Sequence, residues 1–296
     1  MAIAWVFPGQ GSQKLGMADG VLELPGARER FAEASALVGR DLLAICEGSA
    51  TGADADLNST GNTQPALYVL ESLLVDGLRA QGRTADLVAG HSLGELVALY
   101  AAGVFDFTTG LRLIQTRSAL MAEAGGGAMT AVMGFDRAEL DALVAGHDGV
   151  VIANDNSSAQ VVLSGTPEAV AQVSGALTCK RAIPLAVSGA FHSPFMAGPA
   201  ARFAATLDTV AFADAAIPVL SNTDPTPQTN GAALKQRLRD QMTTGVRWRE
   251  TMDALVAAGV DTAVEIGPGN VLSGLIKRSC PTISTAQVAG AADLGL

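Results

Sequence analysis

Two residue types in this 296-residue chain stand where they could do covalent chemistry, a serine and a histidine, and an arginine stands where a cation is unexpected. Ser92 is the centre of Gly90-His91-Ser92-Leu93-Gly94. An apolar strand-like run, Leu87 to Ala89, precedes it, and a helical stretch, Leu93 to Ala102, follows and is stopped by Gly103. A sharp strand-to-helix turn strains its central residue and leaves no room for side chains two positions to either side, a restriction that the two glycines meet. The pattern is that of a nucleophile elbow. A glycine-flanked serine in an ordinary strand-to-helix turn is the alternative, and the flanking strand and helix weigh against it. At such an elbow the Ser92 hydroxyl stands at a helix start, where the unpaired Leu93 amide points at any oxyanion formed on an attacked carbonyl.

A serine nucleophile needs a base, and the chain has three histidines, His91, His147 and His192. His91 adjoins the nucleophile on a tight turn, where neighbouring side chains point apart, so it is expected to fix the turn by hydrogen bonding. His147 sits in a polar loop between Gly146 and Asp148 and is expected to be solvated. His192 lies at the junction of two segments of different character, where a cleft would form, and is the expected base. Asp106, Asp136, Asp148 and Asp155 lie between Ser92 and His192, but none has a context that singles it out as the acid of a triad. A Ser-His dyad oriented by a backbone carbonyl is therefore favoured. Gln10, in Pro8-Gly9-Gln10-Gly11-Ser12-Gln13, could offer its amide to the same oxyanion as Leu93. That turn lacks the third glycine of a dinucleotide fingerprint, where Lys14 stands instead, which weighs against a nicotinamide cofactor.

Arg117 interrupts the apolar stripe of a helix in which Leu113, Ile114, Leu120 and Met121 define one face. A cation there is costly unless it snorkels at the helix edge or meets an anion, and periodicity alone favours snorkelling.

The elements that must position these residues read as an α/β protein. Ile3 to Phe7 is a short buried strand. Arg28 to Val38 is an amphipathic helix, Gly48 to Gly61 is a polar loop, and Gln64 to Ala80 is a long apolar helix with Pro65 near its first turn and Leu67, Leu70, Leu74 and Leu78 at helical spacing. Thr108 or Thr109 can cap the Arg117 helix. The chain then changes character. Strand Ala128 to Met133, helix Asp136 to Ala145, strand Val150 to Asn154, a turn at Asn156-Ser157-Ser158, strand Gln160 to Leu163, helix Pro167 to Leu177 and strand Arg181 to Val187 give the βαββαβ order of a ferredoxin-like unit. Beyond it come helix Ala197 to Thr206, strand Ile217 to Ser221, helices Gly231 to Met242 and Arg249 to Ala258, a last clear strand Thr262 to Ile266, a helix Val271 to Arg278, and a frayed tail from Asp293 to Leu296. Strand, glycine turn and helix recur at Phe7, Ala89 and Ile266, which is how an open parallel sheet gathers loops at one edge. The expected organisation is an α/β-hydrolase-like large domain with a mostly parallel sheet, residues 1–124 and 190–296, with a ferredoxin-like small domain, 125–189, inserted between glycine hinges.

Composition narrows the function classes. The chain is 49% hydrophobic and long enough for a large core. Its longest nearly unbroken apolar stretch, Leu96 to Phe105, is far short of the roughly 18 residues of a membrane span, and the N-terminus has no basic n-region, so a cytoplasmic location is expected. Cys46, Cys179 and Cys280 are odd in number and lack CxxC spacing, which argues against disulfides or a zinc site. A net charge of −10 makes nucleic acid and anionic membranes poor partners, and disfavours an acidic protein unless basic residues cluster locally.

Taken together these residues resemble the malonyl-CoA:acyl carrier protein transacylase family over essentially the whole chain. The match rests on Phe7-Pro8-Gly9-Gln10-Gly11-Ser12-Gln13, Gln64-Pro65-Ala66, Gly90-His91-Ser92-Leu93-Gly94-Glu95, Arg117, Gly189-Ala190-Phe191-His192-Ser193, Val246-Arg247-Trp248 and Glu265-Ile266-Gly267-Pro268-Gly269. The resemblance implies that Ser92 is acylated, that His192 is base and then acid, and that the amides of Gln10 and Leu93 hold the oxyanion. It also implies that Arg117 binds the malonyl carboxylate, that the Gln241 carbonyl orients His192, and that Phe191 crowds the acyl α-carbon. The implied partners are malonyl-CoA and, transiently, an acyl carrier protein, with no cofactor and no metal, and a monomer is expected. Carrier proteins of this kind are acidic, and Lys180, Arg181, Lys277 and Arg278 are the best clustered basic candidates to meet one. The alternatives are a serine thioesterase or esterase of α/β-hydrolase type, a dinucleotide-binding module, or a transacylase serving polyketide synthesis or malonate decarboxylation instead of fatty-acid synthesis.

Overall fold

The computed structural model describes residues 1–52, 55–187 and 189–295, and in it the apolar runs of the sequence become two sheets. The chain begins with β1 (Ala2–Phe7), α1 (Ala27–Val38), α2 (Leu42–Glu47), α3 (Thr60–Ala80), β2 (Leu87–Gly90), α4 (Gly94–Ala101) and α5 (Phe107–Glu123). It continues with β3 (Ala128–Phe135), α6 (Arg137–Ala145), β4 (Val150–Ser157), β5 (Gln160–Gly165), α7 (Pro167–Ala176) and β6 (Cys179–Pro184). Then come α8 (Ala197–Asp208), β7 (Val219–Leu220), α9 (Gly231–Asp240), α10 (Trp248–Ala257), β8 (Val260–Ile266), α11 (Val271–Ser279) and β9 (Ser284–Val288).

The first sheet has the order β7-β2-β1-β8-β9, and every pair in it is parallel. β1 and β2 are apolar throughout because both faces of the sheet are covered there. Trp5 and Phe7 join α3, α4 and α5 in one core, while Ala4, Val6 and Ala89 face α10 and α11 in another. The chain crosses from β1 to β2 on one side, and β8 pairs on the other, so the strand order switches at β1. The crevice for a ligand in such a sheet lies beyond the carboxyl ends of the strands at that switch.

The second sheet is antiparallel, in the order β4-β5-β3-β6, the arrangement expected of a ferredoxin-like unit. Leu140 of α6 and Val170 and Val173 of α7 pack on its Val132, Val161 and Leu163. More than its two chain connections holds it to the larger part. The Val246 amide donates to the Ala153 carbonyl at 2.7 Å and the Asp155 amide to the Val246 carbonyl at 2.9 Å, while the Asp155 carboxylate accepts from Arg249 of α10 and Arg137 of α6.

Several expectations are corrected. α3 begins at Thr60, so Pro65 lies inside the helix. Proline has no N–H, which leaves the Gly61 carbonyl without its intrahelical donor, and Arg40 Nη2 supplies one at 2.8 Å. α5 is capped by Asp106, whose carboxylate accepts from the Thr109 amide at 2.8 Å, and not by a threonine. β4 runs through Asn156 and Ser157, which are buried strand residues and not turn residues, and β6 ends at Pro184 instead of Val187. Thr262 to Ile266 is not the last strand. β9 adds to the sheet edge in parallel with β8, and its mostly exposed side chains gave no alternation to read. The tail from Ala291 to Leu294 is a docked 3-10 turn with Leu294 buried and its carbonyl accepting from Gln81, the residue after α3, while Leu296 lies outside the described residues. Among the described residues no helix is long and apolar enough to cross a membrane.

Candidate active site

The elbow serine stands where β2 meets α4. Ser92 has φ of 55° and His192 φ of 54°, the two non-glycine residues with positive φ among those described. Such left-handed dihedrals persist only where the surroundings hold them. A Cβ on Gly90 would collide with the Gly94 carbonyl, and one on Gly94 with the carbonyl oxygen of Phe7, so the elbow closes backbone against backbone at the end of β1. Asn222, just beyond β7, clamps it: its Oδ1 accepts from the Ser92 amide at 2.7 Å and its Nδ2 donates to the Gly90 carbonyl at 2.6 Å.

Ser92 Oγ lies 2.7 Å from His192 Nε2. His192 Nδ1 lies 2.9 Å from the main-chain carbonyl of Gln241, an acceptor only, so Nδ1 carries the proton and Nε2 is left to accept from the serine hydroxyl. No carboxylate among the described residues bonds this imidazole. Burial, and then the charge of Arg117, push the His192 pKa down to about 3, so the ring is neutral at physiological pH.

The Arg117 guanidinium does not snorkel; the residue is fully buried. Nη1 donates to Gln64 Oε1 at 2.6 Å, and Nη2 donates to Gln241 Oε1 at 2.9 Å and to Ser92 Oγ at 3.0 Å. Burial lowers its pKa to about 10, against the pull of Glu95, and it remains a cation at neutral pH. Two of its five N–H donors are uncommitted.

A cleft of about 280 Å³ opens over this group, lined by Gln10, His91, Leu93, Met129, Val187 and Phe191 together with Ser92, Arg117 and His192. The main-chain amides of Gln10 and Leu93 both donate to no described group, and Phe191 is buried against the cleft wall. The structure thus brings Ser92, His192, Arg117, Gln10, Leu93, Phe191 and the Gln241 carbonyl to one place. His91 turns away from Ser92; its Nε2 is 2.8 Å from Asn156 Oδ1 on β4 and its ring is 5.6 Å from that of Trp248, so it ties the elbow to the second sheet. His147 bonds the Leu143 carbonyl within its own helix end.

Sequence reasoning missed Gln64 as a partner of Arg117, Asn222, the burial of Glu95, and the side chain of Gln241. A glutamine opening the apolar run Gln64 to Leu70 was a usable signal for the first. The loop around Asn222 carries none, since its role depends on the pairing of β7 with β2. The four basic candidates are exposed, but they do not form one cluster. Lys180 and Arg181 are on β6, at one edge of the second sheet, and Lys277 and Arg278 are on α11, which packs beside β4 at the other.

A parallel sheet with an elbow serine at its switch point, paired with a buried imidazole and facing two free amides, belongs to the α/β acyltransferases. The chain is a member of the malonyl-CoA:acyl carrier protein transacylase family. The sequence pattern of the acyl transferase domain matches residues 4–294. The malonyl CoA-acyl carrier protein transacylase of Synechocystis sp. is 50% identical over 294 residues, 99% of each chain. The crystal structure of the Synechocystis enzyme superposes with a TM-score of 0.95, covering 100% of this chain and 99% of that one. A malonyl-transacylase in complex with AntF, the holo acyl-carrier protein of a type II polyketide synthase, is 38% identical with a TM-score of 0.91, covering 99% of this chain and 98% of that one.

Proposed function

We propose that the protein moves a malonyl group from malonyl-CoA to the phosphopantetheine thiol of an acyl carrier protein through a malonyl ester on Ser92. The observation that carries this reading is the buried Arg117 cation 3.0 Å from the Ser92 hydroxyl. A fixed positive charge beside a nucleophile favours an acyl donor whose free carboxylate lies a bond or two from the reacting carbonyl.

In this reading Ser92 Oγ gives its proton to His192 Nε2 and attacks the thioester carbonyl. The oxyanion is received by the amides of Gln10 and Leu93. The tetrahedral adduct then collapses, the C–S bond breaks, and His192 returns the proton to the departing CoA sulfur. The carrier's thiol gives its proton to His192, attacks the Ser92 ester, and leaves as the malonyl thioester while Ser92 regains its proton. Kinetics are ping-pong. Arg117 holds the malonyl carboxylate throughout, which places the ester carbonyl for the incoming thiol.

The relatives' names support malonyl-CoA and a carrier protein as partners. Fatty-acid synthesis is the pathway we assign, with residues 125–189 as a small domain over the site, a monomeric protein, and a cytoplasmic location that suits three unpaired cysteines. Intact mass after mixing with malonyl-CoA tests the chemistry. The expected result is one malonyl adduct on the wild type, lost on adding holo carrier protein, absent from Ser92→Ala and formed orders of magnitude more slowly by His192→Ala. A malonylated Ser92→Ala protein, or an adduct that water removes as fast as the carrier does, would overturn it.

A further inference from the structure

We infer that Glu95 is a positioning residue: it fixes which end of the Gln241 side-chain amide faces Arg117, and so aims the guanidinium and sets the preference for charged over uncharged acyl groups. The inference rests on the acyl-transfer reading above. Glu95, in the first turn of α4, is fully buried. Its Oε2 accepts from Gln241 Nε2 at 2.7 Å and from the Asn222 amide at 3.1 Å. Gln241 Nε2 also donates to the Ser92 carbonyl at 2.9 Å, and Gln241 Oε1 accepts from Arg117 Nη2 at 2.9 Å.

The chemistry of these groups permits one orientation. Guanidinium only donates, so it demands the oxygen end of the amide, and a carboxylate only accepts, so it demands the nitrogen end. One glutamine side chain therefore stands between the buried Arg117 cation and the buried Glu95 carboxyl, its oxygen end taken by the guanidinium and its nitrogen end by Glu95 Oε2. No carboxylate among the described residues lies within ion-pair distance of Arg117. A direct ion pair would occupy the donor fork that an acyl carboxylate requires. Acting through the amide, Glu95 attracts the cation without taking either of its two uncommitted donors, Nε–H and one N–H of Nη1. In Glu95→Gln the position can present either oxygen or nitrogen to Gln241, so a paired flip that turns Nε2 against Arg117 is no longer forbidden.

The test is single-turnover acylation by malonyl-CoA and by acetyl-CoA, followed by intact mass. Glu95→Gln is expected to lower kcat/KM for malonyl transfer about 10- to 100-fold, mainly through KM, the scale of a lost hydrogen bond to a charged group. Acetyl transfer, which uses no carboxylate contact, is expected to fall far less, so the malonyl-to-acetyl ratio drops at least about tenfold. Glu95→Asp, which retains the carboxylate, recovers part of the ratio. Gln241→Met removes the relay but keeps the carbonyl that orients His192, and is expected to lower the ratio in the same way; it carries the test if Glu95→Gln does not fold. Equal losses with both acyl donors would reduce Glu95 to a packing role and overturn the inference. A wild-type protein that takes up no malonyl group would instead sink the acyl-transfer reading itself.

Discussion

His192 makes the sharpest prediction of any single residue, because burial and a neighbouring cation outweigh the main-chain carbonyl that favours its charged ring. Its pKa is depressed from 6.5 to about 3 by burial and then by Arg117, so the neutral base persists into acid. The rate of Ser92 acylation should therefore stay near its plateau from about pH 8 to pH 5, with no inflection near the usual histidine value. Arg117→Met removes the second cause but not the first and should move the acid limb part of the way towards neutrality; a wild-type limb centred near 6.5 would mean that the ring titrates freely. Arg117 is also expected to select the acyl group. Arg117→Ala should cost malonyl transfer on the order of 3–5 kcal/mol by leaving a carboxylate unpaired in a buried site, and should cost acetyl transfer less. Phe191→Ser should admit a methyl-branched malonyl group, with a gain limited to about 1–3 kcal/mol for a methyl-sized clash. Ratios of kcat/KM for malonyl-, methylmalonyl- and acetyl-CoA separate these effects from a uniform loss.

Helix α3 and the basic elements carry predictions of a different kind. Pro65 strips the Gly61 carbonyl of its donor inside α3, and Arg40 replaces it across space. Arg40→Met keeps the aliphatic stem but leaves that carbonyl unpaired, so it should destabilise by about 1–2 kcal/mol, seen as a lower urea midpoint at unchanged slope, with acylation intact. Since Lys180 and Arg181 lie on β6 and Lys277 and Arg278 on α11, at opposite edges of the second sheet, reversal of one pair to Glu at a time distinguishes two approaches of the acidic carrier. The β6 pair is expected to matter more, because the chain leaving β6 lines the cleft at Leu185, Ala186 and Val187. A raised KM for the carrier with unaltered malonylation by CoA ester supports that side, and an effect confined to the α11 pair refutes it.

For the molecule as a whole, Glu71 links stability to pH. It is fully buried on α3, neither carboxyl oxygen has a hydrogen-bond partner, and burial together with the nearby Glu265 holds its pKa well above 4.5. The folded chain thus keeps a proton that the unfolded chain releases, so stability is fully present below about pH 4.5 and falls, by up to about 1.4 kcal/mol per pH unit, as pH rises through the folded pKa. Glu71→Met should remove this dependence: the Tm difference from wild type should grow in the variant's favour between pH 5 and pH 8, and a constant difference would contradict the account. Glu71 also illustrates what a sequence conceals, since the apolar spacing of Gln64 to Ala80 does not say that α3 is packed on the side of residue 71 as well. Local chemistry was legible without coordinates. Glycines at 90 and 94 announce a turn that excludes side chains, a lone candidate histidine at 192 follows from there being three in the chain, and the period change at 125 marks a second sheet. Arg117 was legible as an anomaly, but its direction was not, because helical spacing places a side chain on a face without saying what that face meets. What only the tertiary structure decided is everything that depends on contacts between distant segments: Asn222 clamping the elbow from 130 residues away, Gln241 joining Arg117, Ser92 and Glu95, and β9 completing the sheet edge. Hydrogen bonds between remote residues leave no period and no motif in a sequence, because each is set by how strands pair and helices pack, and that order exists only once the chain has folded.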